Sequence, residues 1–154
     1  MSLRSAATRT RALYLFAAAL ALAGMAVAGY LAFENLQGNT GVCVGVHGCS
    51  TVQNSRYGEI LGVPISVPGF LAYAVLLLAA VLSLRTPLRR PELALIGFLA
   101  SVVGLLMSAY LTYIEAFVLD AWCSYCIVSA LLTTALFITW SLLLGSAVRQ
   151  TPDG

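Results

Sequence analysis

The chain has 154 residues, 60% of them hydrophobic and only 9% charged, whereas a soluble domain carries about 25% charged residues. A water-soluble globular domain is excluded, and the length suits one compact unit. All eight basic residues are arginine and the net charge is +2, too thin for a continuous basic patch, so nucleic-acid binding is not expected.

Charged residues cut the sequence into long neutral runs, the pattern expected where ionised side chains are costly in hydrocarbon. The first run is Ala12 to Phe33, between Arg11 and Glu34. The second lies within Ile60 to Leu84, and Pro64 and Pro68 place the start of its helix near Ser66 to Pro68. Leu93 to Ile114 and Ala121 to Val148 follow, each long enough for the ~20 residues that cross a bilayer. The expected fold is an all-α membrane protein, a four-transmembrane-helix bundle with spans near 12–33, 67–84, 93–114 and 123–146, plus a short amphipathic outer helix. One integral-membrane domain is expected to fill residues 1–154, with no fused thioredoxin-like domain.

Arg4, Arg9 and Arg11 ahead of an Ala/Leu-rich stretch ending Ala26-Val27-Ala28 also fit a cleaved secretory signal. The 22 uncharged residues of this run exceed the ~7 to 15 of a usual signal core, which favours a spanning helix. Assigning alternate sides puts Arg4, Arg9, Arg11, Arg85, Arg89, Arg90 and Arg149 together and leaves Arg56 alone opposite. The positive-inside rule then places both termini and the middle turn in the cytoplasm of a multi-pass cell-membrane protein. Residues 34–66 and 115–120 become the outer loops, and Glu34, Glu59, Glu115 and Asp120 fall in them.

Cys43 and Cys49 lie in the first outer loop, and Cys123 and Cys126 lie where the fourth helix leaves the outer interface. Both pairs face the compartment in which disulfides persist. Four cysteines allow three connectivities, and spacing selects none of them. In Cys123-Ser124-Tyr125-Cys126, a C-x-x-C at a helix start sets the first thiol near unpaired N–H groups and the positive end of the dipole. Both favour thiolate, the species that attacks a disulfide, so this is a redox-active location. Trp122, just before it, suits an interfacial aromatic anchor. Gly41, Gly45 and Gly48 give the loop around Cys43 and Cys49 the freedom to bring its sulfurs together or swing them toward other partners.

Two other readings share these residues. Both pairs can be static staples of a non-enzymatic membrane scaffold, or four cysteines with His47 can bind zinc. The C-x5-C spacing of the loop pair is wider than the ~2 to 4 residues usual between paired ligands, so no metal is expected. His47 can lower a neighbouring thiol pKa, although a lone loop histidine is commonly inert. Ser50 to Tyr57 reads as a short surface helix that acts as a lid over the bundle. Ala100, Gly104, Ser108 and Thr112 form a small-residue stripe for helix packing.

The ordered set Cys43, Cys49-Ser50-Thr51-Val52, Ser55-Arg56-Tyr57-Gly58, Gly62-Val63-Pro64, Gly69, Tyr73 and Cys123-x-x-Cys126 resembles the vitamin K epoxide reductase family, in particular its bacterial disulfide-generating members. The match covers most of the chain. The resemblance implies a four-helix bundle enclosing a quinone, with Cys126 nearest the ring, Cys123 as its partner, and Cys43 with Cys49 as the relay. It further implies that Cys43 exchanges with a separate periplasmic or extracellular thioredoxin-fold protein, that Cys49 links transiently to Cys123, and that Ser55 lines or supports the quinone pocket. The vertebrate enzymes carry Asn and Tyr where this chain has Ile65 and Ala130. A membrane quinone, menaquinone or ubiquinone, is therefore the expected electron acceptor in place of an epoxide, with Ser66 or Tyr73 supplying polar contacts.

Overall fold

The computed structural model describes residues 2–45, 48–86 and 91–149, with side chains from Ala6 onward. His47, Arg89 and Arg90 lie outside the described residues. The elements in chain order are α1 (Ser2–Leu36), α2 (Cys49–Gln53), β1 (Glu59–Ile60), β2 (Val63–Pro64), α3 (Ser66–Arg85), α4 (Pro91–Phe117) and α5 (Ser124–Val148). Four of these helices are long and apolar enough to cross a membrane. Leu22, Leu78, Leu99, Leu106 and Leu131 are exposed on the outside of the bundle, as suits helices whose solvent is hydrocarbon.

The first three expected spans fall inside these helices, the fourth starts one residue ahead of α5, and α3 begins at Ser66, within the start expected near Ser66 to Pro68. Two helices run further than the neutral stretches. α1 continues through Glu34 to Leu36, and α4 continues through Glu115 to Phe117. A charged residue marks where hydrocarbon ends, but the backbone still satisfies its own N–H and C=O groups by continuing the helix. Glu115, expected in an outer loop, is thus a helical residue and is buried.

Small residues set the packing. Ala17, Ala21 and Ala28 of α1 join Tyr73, Leu76, Ala79 and Ala80 of α3 and Leu136, Trp140 and Leu143 of α5 in one core. α1 therefore packs as a member of the bundle. Any side chain at Gly24 would run into the Tyr73 ring, and any at Gly97 into the Trp140 ring, so both glycines are seats for aromatics. In the expected α4 stripe, Gly104 and Ser108 meet α5: a Cβ at Gly104 would lie 3.4 Å from Thr133 Cγ2, and the Thr133 hydroxyl donates to Ser108 Oγ at 3.1 Å.

The segment from Cys49 to Ile65 closes the end of the bundle that carries the cysteines. The helix expected over Ser50 to Tyr57 is one turn, α2, because Ser55 Oγ donates to the Val52 carbonyl at 2.7 Å and so takes an acceptor that the next helical turn would use. A hairpin not foreseen from the sequence follows, with Glu59 paired to Pro64 and Ile60 to Val63. Its two central residues, Leu61 (φ 54°) and Gly62 (φ 79°), are both left-handed, as a two-residue type I′ turn demands. The Ile65 N–H then reaches back to the Gly58 carbonyl at 2.9 Å, fixing the approach into α3.

Candidate functional site

Cys123 is the N-cap of α5, with extended backbone (φ −104°, ψ 121°), and Ser124, Tyr125 and Cys126 form the first helical turn. Its side chain is fully buried, whereas Cys126 is partly exposed. The Cys123 N–H donates to Glu115 Oε2 at 3.2 Å, so the end of α4 orients the start of α5. Both cysteines are free thiols. The Cys123 thiol is held down to about 7, chiefly by a hydrogen bond from the Cys126 thiol, with help from the backbone N–H groups of Cys126 and Tyr125. Burial and the negative charge of Glu115 oppose the shift. Cys123 thus stands at the start of α5, the position on which the sequence reading rests, while its neighbouring thiol is the chief cause of the shift.

Cys43 and Cys49 form a disulfide with Cα atoms 5.9 Å apart, one of the three connectivities the sequence left open. The loop that carries it is docked onto the C-x-x-C turn. The Val42 N–H donates to the Tyr30 hydroxyl at 3.3 Å, the Tyr125 hydroxyl donates to the Val42 carbonyl, and the Ser124 hydroxyl donates to the Val44 carbonyl. Gly41 (φ 71°) and Gly45 (φ 84°) supply the left-handed residues this path needs. A Cβ at Gly48 would lie 2.6 Å from the Trp122 backbone nitrogen. Cys49, Val52 and Cys123 form one buried cluster, with Cys43 and Cys126 packed on its edge.

Below this cluster lies a cavity of about 230 Å³, walled by all four long helices and closed by Val52, Gln53 and Tyr57. Cys126 is on its wall, and so are Ser66 and Tyr73, two of the residues expected to bind a quinone. Ser66 Oγ accepts from Asn35 Nδ2 at 3.2 Å, and the Tyr73 hydroxyl lies 2.8 Å from Ser129 Oγ. Ser55 is not on the wall: its hydroxyl is committed to the Val52 carbonyl, and it supports the lid instead of lining the cavity. Three polar residues escaped the sequence reading. Asn35 and Gln53 are on the wall, and both polar atoms of the Gln53 side chain are buried with no hydrogen-bond partner among the described residues. The third is Glu115, whose charge in the sequence pointed to a solvated loop.

The residues present fit a quinone ring. An apolar cavity of about 150 Å³ takes benzene, and this one is larger, borders a thiol, and offers an unpaired amide to a carbonyl oxygen. A four-helix membrane bundle that docks a disulfide loop on a reduced C-x-x-C above an apolar cavity defines the class. The model of the Vitamin K epoxide reductase family matches residues 15–141, and the chain belongs to that family. It is also similar to the thiol-disulfide oxidoreductase LTO1 of Arabidopsis thaliana, 32% identical over 116 residues that cover 70% of this chain and 30% of LTO1. The chain thus spans under a third of LTO1's length.

Proposed function

We propose that this protein is a membrane thiol-disulfide oxidoreductase that carries electrons from an extracytoplasmic thioredoxin-fold partner to a membrane quinone, and so supports disulfide formation. Family membership and the named activity of LTO1 support the redox class. The observation that carries the reading is the junction itself: an oxidised loop pair and a reduced C-x-x-C pair share one buried cluster, and Cys126 borders the cavity. The cysteines sit at the end of the bundle opposite Arg9, Arg11, Arg85 and Arg149, which supports an outer-face site with both termini in the cytoplasm.

A thiolate of the partner attacks Cys43, and a second partner thiol resolves the mixed disulfide, leaving Cys43 and Cys49 reduced. Cys49 then attacks Cys123 of the oxidised C-x-x-C pair, forming a transient Cys49–Cys123 bond and releasing Cys126 as thiolate. Cys43 resolves that bond, re-forming the loop disulfide and leaving Cys123 and Cys126 reduced. A quinone held in the cavity would supply the acceptor for two electrons and two protons. Cys123 and Cys126 both border the cavity, and loss of two electrons from the pair restores the Cys123–Cys126 disulfide. Gln53 would hold a ring carbonyl, with Tyr73 and Ser66 positioned by Ser129 and Asn35. Ile65 presents hydrocarbon to the cavity, which favours menaquinone or ubiquinone over an epoxide.

The test is hydroquinone formation by the purified protein with a dithiol and menaquinone. Cys126→Ala and Cys123→Ala are expected to abolish it. Cys43→Ala is expected to spare reduction by a small dithiol and block a thioredoxin-fold protein. Full turnover by Cys126→Ala would refute the proposal.

A further inference from the structure

Glu115 is a buried carboxyl group that the exchange chemistry above does not use. It is 1% exposed at the outer end of α4, where burying a carboxylate is costly without a task or a partner. Its Oε2 accepts the Cys123 N–H at 3.2 Å, while Oε1 is buried with no hydrogen-bond partner among the described residues. The Cys126 thiol is also among the groups that this carboxyl group acts on electrostatically. The titratable groups that interact with it are Cys123, at the N-cap of α5, and Cys126; Tyr125 lies beside Cys123, with Tyr30 and Glu34 of α1 beyond it. Asp120 in the turn between α4 and α5 is exposed, and so is Arg56 on the lid. No ion pair to Glu115 is formed among the described residues.

We propose that Glu115 is the proton carrier of the C-x-x-C pair, taking the thiol proton of Cys126 as that sulfur becomes a nucleophile and giving it up when the electrons leave. In the first step Cys126–SH and the Glu115 carboxylate become Cys126–S⁻ and Glu115–COOH, and no electrons move. In the oxidation, the Cys123 and Cys126 sulfurs together lose two electrons to the quinone and join in an S–S bond. The proton on Glu115 and the one Cys123 has released to solvent are the two that complete the hydroquinone. This rests on the proposed quinone-linked reading. The assignment also explains why a carboxylate stands in a place where a capping role alone needs only an acceptor oxygen: glutamine would serve the Cys123 N–H equally well, and the Ala121 N–H bonds to the Glu115 backbone carbonyl at 3.1 Å.

Glu115→Gln therefore separates the two roles, and the first measurement needs no quinone. In a Cys123→Ser background with the loop disulfide intact, the alkylation rate of Cys126 by iodoacetamide is followed against pH by peptide mass spectrometry. With Glu115 present, the reacting thiolate leaves its proton on the carboxylate, so over the pH range in which that exchange supplies the thiolate the rate is expected to be flat. In the Glu115→Gln variant, the rate is expected to climb about tenfold per pH unit through the same range. Glu115→Asp, which keeps a carboxylate, is expected to retain the flat stretch. Identical profiles for the parent and Glu115→Gln would overturn the assignment, and so would faster alkylation of Glu115→Gln at every pH, the mark of simple charge repulsion. In the otherwise unaltered protein, Glu115→Gln is expected to slow dithiol-to-quinone turnover by about a hundredfold or more, with partial rescue by Glu115→Asp. Turnover by Glu115→Gln at the unaltered rate and pH profile would remove Glu115 from the reaction while leaving the quinone reading in place. If the unaltered protein reduces no quinone, that reading fails, and the alkylation profiles still decide the role of Glu115.

Discussion

Removing the Cys126 thiol takes away the largest cause of the low Cys123 pKa, so Cys126→Ala should return Cys123 from about 7 toward the ordinary value of 9.0. At pH 7 the thiolate fraction would fall from about one half to about 1%. Intrinsic thiolate reactivity moves the other way: with a Brønsted slope of about 0.45, two pKa units return roughly eightfold in rate per thiolate. The net result at pH 7 is about a sixfold loss in alkylation of Cys123, whereas at pH 9 the variant should react about fourfold faster. The two curves should cross near pH 8, at roughly the point where the opposing factors balance. The assay is iodoacetamide labelling of Cys123 against pH, read by mass spectrometry, in a Cys43→Ala/Cys49→Ala background that leaves no loop sulfur to compete. Cys126→Ser keeps an O–H donor and should hold the midpoint nearer that of the unaltered pair. A Cys126→Ala profile that overlays the parent would show that the neighbouring thiol does not set the acidity of Cys123.

Gln53→Leu should weaken quinone affinity by about tenfold, the effect of one lost hydrogen bond of about 1.4 kcal/mol, measured as a rise in KM without a change in Cys123 alkylation. Gly24→Ala sets a methyl group against the Tyr73 ring, and overpacking of about 1–3 kcal/mol should lower the thermal unfolding midpoint in detergent. Tyr125→Phe removes the hydroxyl that holds the Val42 carbonyl, so a small dithiol should reduce the Cys43–Cys49 disulfide faster, as followed by thiol trapping.

The bundle was legible because a span is a property of composition over a long window: charge-free runs located all four long helices. Their ends were not, since Glu34 and Glu115 end the hydrocarbon stretch without ending the helix. The C-x-x-C was legible as a helix start, and α5 does begin there, with Cys123 as its N-cap. The loop pairing was not, because three connectivities satisfy the same spacing. The hairpin at Leu61-Gly62 escaped because two-residue strands have no periodicity and a left-handed leucine is not a turn signal. Gln53 and Ser55 show the same limit within one turn of chain. Both are polar residues of the lid, yet only Gln53 reaches the cavity, because Ser55 bonds to its own backbone three residues back.

The relay requires a bond between the loop and the bundle. A Cys43→Ala/Cys126→Ala double variant retains only Cys49 and Cys123, which share the buried cluster. Mild oxidation of this variant in membranes, followed by peptide mass spectrometry under non-reducing conditions, should yield a Cys49–Cys123 disulfide. Two sulfurs that remain separately alkylatable after oxidation, with no crossed peptide, would contradict the account.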